Sequence, residues 1–79
     1  MARDSITYEV KEIIGVLETK ESGWRKEVTL TSWNGGTPKI DIREWDPNHM
    51  RCGRGLTLPE EEARRMTEML MRRYGLKGE

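Results

Sequence analysis

The stretch WRKEVTLTSWNGGTPKIDIREW, residues 24–45, decides the fold of this chain. Side chains alternate residue by residue between two sets over residues 24–34, and they do so again over residues 39–45. Alternation with a period of two is typical of β-strands. Between the two runs lies Asn-Gly-Gly-Thr-Pro, in which Asn and Gly tolerate the positive φ angles of a tight turn. The stretch therefore predicts a β-hairpin.

The flanking residues predict one further strand on each side of this hairpin. Upstream, from Thr7 to Lys20, apolar residues alternate with polar ones but occupy both faces around Gly15. This double occupancy predicts either a β-bulge or a strand that is buried on both sides. Downstream, Met50–Leu56 follows the turn residues Asp-Pro-Asn-His and predicts a short fourth strand, which the Gly-Arg-Gly of residues 53–55 weakens.

The last third of the chain changes to a helical period. Thr57 and Glu60 have the spacing of a capping box, and Pro59 suits a first helical turn. Apolar residues then recur every three or four positions until Gly75, whose follower Leu76 suits a helix cap. The sequence thus predicts an α+β domain, in which four antiparallel strands are followed by one C-terminal helix (ββββα) and one face of the sheet stays open.

The composition predicts a domain with a thin core. The 79 residues allow one domain, 1–79, which we expect to be ordered over about residues 6–76. Only 14 residues are Leu, Ile or Val, and there is no Phe. Such short chains are generally stabilised by disulfides, metals or oligomerisation, and one cysteine excludes an intrachain disulfide. We therefore expect a homodimer whose interface is formed by the helix residues Met66, Met69, Leu70 and Tyr74.

Several classes of protein do not fit the sequence. No apolar run is long enough to span a membrane, and the first residues lack the apolar segment of a secretory signal. A lone thiol without such a signal predicts a cytoplasmic or nucleoid location. Because there is no phosphate loop, catalytic triad or carboxylate pair, we expect no enzyme, no cofactor and no small-molecule substrate. Asp46, His49 and Cys52 are too few ligands for a metal site.

The central hairpin places two tryptophans among charged side chains. If the helix covers the face that carries Ile40 and Ile42, the opposite face presents Trp33 and Trp45. Bases of single-stranded nucleic acid stack on such rings while Lys and Arg follow the phosphates. The formal net charge is zero, but residues 20–54 hold seven basic and five acidic side chains. The alternative is that both rings are buried in a dimer interface or in a second small core.

Residues 33–58, WNGGTPKIDIREWDPNHMRCGRGLTL, carry an ordered set of motifs. Ile-Asp-Ile-Arg-Glu-Trp at 40–45 is followed by Asp-Pro at 46–47 and by Gly-Arg-Gly-Leu-Thr-Leu at 53–58. In this order and at this spacing, the motifs resemble the single-stranded-DNA-binding domain of the eukaryotic transcriptional positive cofactor four. They resemble its bacterial YdbC-type relatives more closely still. The similarity extends over about residues 6–74.

The resemblance implies a curved four-stranded sheet, one helix, and dimerisation largely through the helices. It also implies a non-enzymatic protein that binds single-stranded DNA, in transcription or DNA maintenance. Because base stacking does not read the 2′-hydroxyl group, the choice between DNA and RNA stays open. Base stacking would fall to Trp33 and Trp45. The alternative function is a dimeric module that holds a protein partner on the same face, with nucleic acid incidental. We expect six cations at the DNA strand: Lys39, Arg43, Arg54, Arg25, Lys26 and Arg51. The first three match basic positions of that family.

Overall fold

A computed structural model describes residues 6–76 of the chain. Its elements are, in chain order, strands β1 (Tyr8–Thr19), β2 (Arg25–Trp33), β3 (Lys39–Trp45) and β4 (Cys52–Leu58) and helix α1 (Glu60–Tyr74). The strands form one sheet in the order β1-β2-β3-β4, and each pairs with its neighbour in antiparallel fashion. The predicted ββββα fold is therefore confirmed.

The central hairpin forms where its sequence predicts it. Asn34 and Gly35 open the turn with φ angles of 53° and 75°, which are the left-handed values that these residue types tolerate. The predicted start and end of β4 are wrong by two residues. That strand runs from Cys52 to Leu58, because Gly53 and Gly55 lie inside it and Gly55 pairs with Arg43 of β3.

Helix α1 begins and ends by different means. The predicted capping box at Thr57 is wrong, because Thr57 belongs to β4 and its hydroxyl donates to Asp41 over 2.7 Å. Pro59 occupies the cap position, and no side chain caps the helix there. At the other end Gly75 adopts φ 72°, and the N–H of Leu76 donates to the carbonyl of Met71 over 2.8 Å. This is the predicted C-terminal cap, and it is confirmed.

Strand β1 contains three register shifts against β2. They fall between Val10 and Glu12, between Ile13 and Gly15, and between Val16 and the residues that follow it. As a result the 12 residues of β1 lie against the 9 residues of β2. The bulge predicted at Gly15 is confirmed, and the other two were not predicted. Each bulge bends its strand and increases the local twist.

The sheet is strongly curved. Trp45 pairs with Arg25 at one end of β2, whereas Trp33 lies at the other end of the same strand. Eight extended residues span about 26 Å, yet the ring centroids of Trp33 and Trp45 are 6.2 Å apart. Side chains from both ends therefore converge over one face. We call it the concave face, and its register places there Tyr8, Glu27, Thr29, Thr31, Trp33, Lys39, Asp41, Arg43, Trp45 and Thr57.

The concave face is the more deeply buried side of the sheet. Five of its residues are fully buried, and four of these are polar: Glu27, Thr29, Thr31 and Asp41, with Trp45 as the fifth. The helix leaves this face uncovered, as predicted, but the curvature brings the sheet's own side chains over part of it. Each buried polar residue has a partner within the chain, and the hydroxyls of Thr29 and Thr31 lie 2.7 Å apart.

Helix α1 lies on the opposite side of the sheet, where it contacts β3 and β4. Within residues 6–76, Ala63 and Trp45 are the only apolar side chains that are buried. Much of the helix stripe and of β1 is therefore uncovered in a single copy of the chain. No helix in this described part has the length and apolar character needed to cross a membrane.

Candidate nucleic-acid interface

Four rings meet on the concave face. Trp33 and Trp45 are stacked, with an interplanar angle of 13°, and the Tyr8 ring centroid lies 5.7 Å from that of Trp33 and 5.2 Å from that of Trp45. The His49 ring lies 5.3 Å from Trp45, and the Tyr8 hydroxyl donates to the His49 carbonyl. We call these four residues the aromatic cluster. The sequence did not indicate that Tyr8 or His49 would lie beside the tryptophans, although Tyr8 is the register partner of Trp33.

The two tryptophans differ in exposure. Trp45 is 0% exposed, because Tyr8, Trp33 and His49 surround its ring. Its predicted exposure is therefore wrong, and in this state it offers no face to a base. Trp33 is half-buried, and its indole N–H has no acceptor among the described residues. Of the two predicted stacking residues, only Trp33 reaches the surface of the concave face.

Arg25 belongs to a buried charge cluster. Its guanidinium lies 2.7 Å from Oε2 of the fully buried Glu27, at the distance of an ion pair but without the angles of a hydrogen bond. The other oxygen of Glu27 lies 2.8 Å from Nε2 of His49. Glu27 thus ties the start of β2 to the turn that carries His49, and the charge of Arg25 is balanced inside the chain.

Arg43 is held still more firmly. Its Nε donates to Oδ2 of Asp41 over 2.6 Å, and one terminal nitrogen donates to Oδ1 over 3.0 Å. Further hydrogen bonds reach the Thr57 hydroxyl and the Gly53 carbonyl, both over 3.2 Å. Burial alone would lower the pKa of Arg43, but the hydrogen bonds and charge of Asp41 outweigh it and hold that pKa above its usual value. The guanidinium lies 4.8 Å from the centre of the Trp33 ring.

The absence of a side chain at Gly55 makes room for Arg43. A Cβ atom at Gly55 would lie 2.3 Å from the Cβ and 2.9 Å from the Nε of Arg43, and 2.4 Å from the carbonyl oxygen of Ile42. No side chain fits at those distances without moving a neighbouring strand. The sequence showed this glycine only as an interruption of β4, because its partner becomes visible only with the β3–β4 register.

Replacement of Gly55 by alanine is expected to lower the free energy of unfolding by about 1–2 kcal/mol, because an added methyl group must displace Arg43 or β3. Gly53→Ala is the matched control in the same strand, since a Cβ there meets nothing within 4 Å. Urea unfolding of both variants measures the difference. Equal stability of the two variants would contradict this account of Gly55.

The remaining predicted cations separate between the two faces. Lys39 is exposed on the concave face, and Arg51 is exposed in the turn before β4. Neither forms an ion pair with another residue of the described range. Lys26 lies on the other face, opposite Glu44 in the β2–β3 register and 3.9 Å from the carboxylate of Glu18. Arg54 lines the same groove of about 350 Å³ as Lys26. Lys26 and Arg54 therefore do not share a surface with Trp33 and Lys39.

Asp46 fixes the turn that presents Arg51. Its Oδ1 accepts the backbone N–H groups of Met50 over 2.8 Å and of Arg51 over 3.2 Å. Burial would raise the pKa of Asp46, but these two N–H groups outweigh it and lower that pKa below its usual value. Between Ile6 and Leu76, no group of three His, Cys, Asp or Glu residues is placed to hold a metal ion.

Comparison with known proteins identifies the family of this chain. Residues 20–69 match the family model described as Transcriptional Coactivator p15 (PC4), and the matched segment includes Trp33, Lys39, Arg43 and Gly55. An uncharacterized protein of Treponema pallidum (strain Nichols) is 37% identical over 70 residues, which cover 89% of this chain and 82% of that protein. The family match covers β2, β3, β4 and the first ten residues of α1. The chain therefore belongs to the Transcriptional Coactivator p15 (PC4) family.

Proposed function

We propose that this chain is a non-enzymatic homodimer that binds single-stranded DNA on its concave face. A base stacks on Trp33, and Lys39 and Arg51 contact phosphates. The observation that carries this proposal is the placement of a half-buried indole beside an unpaired lysine on one curved face. Membership of a family named for a transcriptional coactivator supports it. The protein would act in transcription or DNA maintenance, in the cytoplasm or nucleoid, without a cofactor.

The spacing of Trp33 and Lys39 suits one nucleotide step. Lys39 pairs with Thr31, which lies two residues before Trp33 on the same face of β2. Two residues of an extended strand span about 7 Å, so a phosphate next to a base on Trp33 comes within reach of the Lys39 ammonium group. Trp33 and Lys39 would thus bind one nucleotide together.

A base must compete with contacts that the chain makes with itself. Trp45 is stacked on Trp33, and Arg43 lies over the same ring. Base–aromatic stacking contributes about 1–3 kcal/mol per base, a range whose lower end overlaps the roughly 0.5–1.5 kcal/mol of one aromatic pair and whose upper end lies above it. Binding would therefore exchange part of the aromatic cluster for a base on Trp33.

The charges favour a weak dependence on salt. Arg25 and Arg43 are neutralised within the chain, so Lys39 and Arg51 are the cations of the site with no ion pair in residues 6–76. Each cation that meets a phosphate of a single strand contributes about 0.7 to the slope of log affinity against log salt. Two such cations give about 1.4 per protomer, a shallow slope for a nucleic-acid-binding protein.

Titration of a fluorescent oligo-dT strand at about 50 mM salt tests the proposal. We expect quenching of tryptophan fluorescence, micromolar or tighter binding and the shallow slope given above. An oligo-U strand in a parallel titration measures the preference between DNA and RNA. No binding at this salt concentration would contradict the proposal and would favour the alternative, a protein partner on the same face.

The homodimer is supported by the apolar surface that a single copy leaves exposed. Met69, Leu70 and Tyr74 on α1 are 57%, 46% and 67% exposed. Beside the helix lies a groove of about 480 Å³, whose apolar walls include Ile14, Leu30 and Met66. Among residues 6–76 a single copy buries only Trp45 and Ala63 as apolar side chains, which is a small core for a chain of this length. A two-fold partner that lays its own helix against this region would cover both surfaces.

Sedimentation equilibrium at low micromolar concentration is expected to give about twice the chain mass of 9.2 kDa. Leu70→Glu should shift the protein towards the monomer, because it places a charge in the apolar interface. Met50→Glu is the matched control, since Met50 is equally apolar and 73% exposed but lies in the turn before β4. A monomeric wild-type protein would contradict the proposed dimer.

A further inference from the structure

The guanidinium of Arg43 has almost no capacity left for an external ligand. Guanidinium has five N–H donors, and the contacts to Asp41, Thr57 and the Gly53 carbonyl use one bond on Nε, one on the first terminal nitrogen and two on the second. The side chain is only 15% exposed, and its counter-ion Asp41 is 0% exposed. The charge of Arg43 is thus satisfied within the fold.

The same guanidinium is fixed against Trp33. It lies 4.8 Å from the ring centre, and the absence of a side chain at Gly55 leaves room for Arg43 beside β4. Strands β3 and β4 therefore hold the cation in place, while the ring it contacts belongs to β2. A cation in this position attracts the face of an indole and restricts its orientation.

We propose that Arg43 is a positioning residue, which orients Trp33 for a base and does not itself contact a phosphate. The proposal rests on the function proposed above and assigns the role of one residue in it. To reach a phosphate, Arg43 would have to leave Asp41, and a buried carboxylate would then remain without its partner. That loss is much larger than the gain from a phosphate contact at the surface. Arg43 therefore remains bound to Asp41 when the strand binds.

The two possible roles of Arg43 predict opposite signs for one substitution. If Arg43 contacted a phosphate, Asp41→Asn would release its charge and tighten binding. If Arg43 positions Trp33, Asp41→Asn loosens the guanidinium and weakens binding. We expect weakening by about 3- to 30-fold, the range of a cation–π contact. The factor should be the same at low and at high salt, because no phosphate contact is lost.

Oligo-dT titrations between about 50 and 500 mM salt distinguish the two roles. Asp41→Asn and Arg43→Gln should lower affinity without changing the salt slope, whereas Lys39→Gln should reduce the slope by about 0.7 per protomer. Thr57→Val is a milder variant, which keeps the shape of the side chain and removes its hydrogen bonds to Asp41 and Arg43. Tighter binding by Asp41→Asn, or a slope reduced by about 0.7 in Arg43→Gln, would overturn the proposal.

A spectroscopic measurement separates this role from a general loss of stability. In folded Thr57→Val without DNA, the indole N–H resonance of Trp33 should shift while that of Trp24 stays in place. The double variant Trp33→Ala, Thr57→Val should bind no more weakly than Trp33→Ala. If the Trp33 resonance does not shift, the positioning role of Arg43 is wrong, whether or not the wild type binds DNA. If the wild type binds no DNA, the proposed function is wrong.

Discussion

Replacement of Asp41 by alanine is expected to lower the free energy of unfolding by about 3–5 kcal/mol, the cost of removing one partner from a buried ion pair. Asp41 is fully buried and accepts hydrogen bonds from both Arg43 and Thr57. Its removal leaves the guanidinium of Arg43, which is only 15% exposed, with no counter-ion. Such a change approaches the whole stability of a small domain, and urea unfolding monitored by circular dichroism measures it.

Glu61→Ala is the matched control for this substitution. Glu61 also pairs with an arginine, but its contact with Arg65 is 3.5 Å long and both side chains are more than two-thirds exposed. An exposed pair of this kind contributes at most about 1 kcal/mol. If the two alanine variants lose similar stability, the Asp41–Arg43 pair does not stabilise the concave face.

Trp33→Ala is expected to weaken binding of oligo-dT by about 1–3 kcal/mol for each stacked base, or roughly 5- to 150-fold per protomer. The loss should be nearly the same at all salt concentrations, because a contact between a base and a ring displaces no counter-ion. Fluorescence anisotropy of the labelled strand over a range of salt concentrations measures both the affinity and its slope.

Trp24→Ala serves as the control for the loss of an indole. Trp24 is half-buried, like Trp33, but lies in the turn before β2 and outside the aromatic cluster. We expect its affinity for oligo-dT to stay within about twofold of the wild type. A folded, dimeric Trp33→Ala variant with unchanged affinity would contradict base stacking on the concave face.

The parts of the fold that depend on neighbouring residues were predictable from the sequence. The Asn34–Gly35 turn and the Gly75 cap follow from the left-handed backbone that these residue types tolerate. The alternation along β2 and β3 correctly assigned Trp33, Lys39 and Arg43 to one face. It did so because the side-chain period of a strand is set by local geometry.

The curvature of the sheet was not predictable in this way. Alternation shows which side chains share a face but not whether that face is concave, convex or buried. The curvature arises with three bulges in β1, two of which leave no glycine signal in the sequence. For this reason the aromatic cluster was missed, and Trp45 was expected to be exposed although it is fully buried.

The role of Gly55 was missed for a related reason. Its partner Arg43 lies in another strand, and the two are adjacent only because of the β3–β4 register. Gly55 acts by leaving room for Arg43, and a glycine has no side chain whose chemistry would indicate such a role. The sequence therefore indicated Arg43 as a free cation, whereas the structure places it in a network with Asp41 and Thr57.

The bulges of β1 also affect how this chain behaves at high concentration. β1 is an edge strand, and Ile13, Ile14 and Leu17 on it are exposed. A regular edge with such residues would template the addition of further strands, and amyloid fibrils grow in this way. Three irregularities within 12 residues interrupt the row of N–H and C=O groups that an incoming strand would need. The irregularities that accompany the curvature of the sheet thus protect an apolar edge strand against fibril growth.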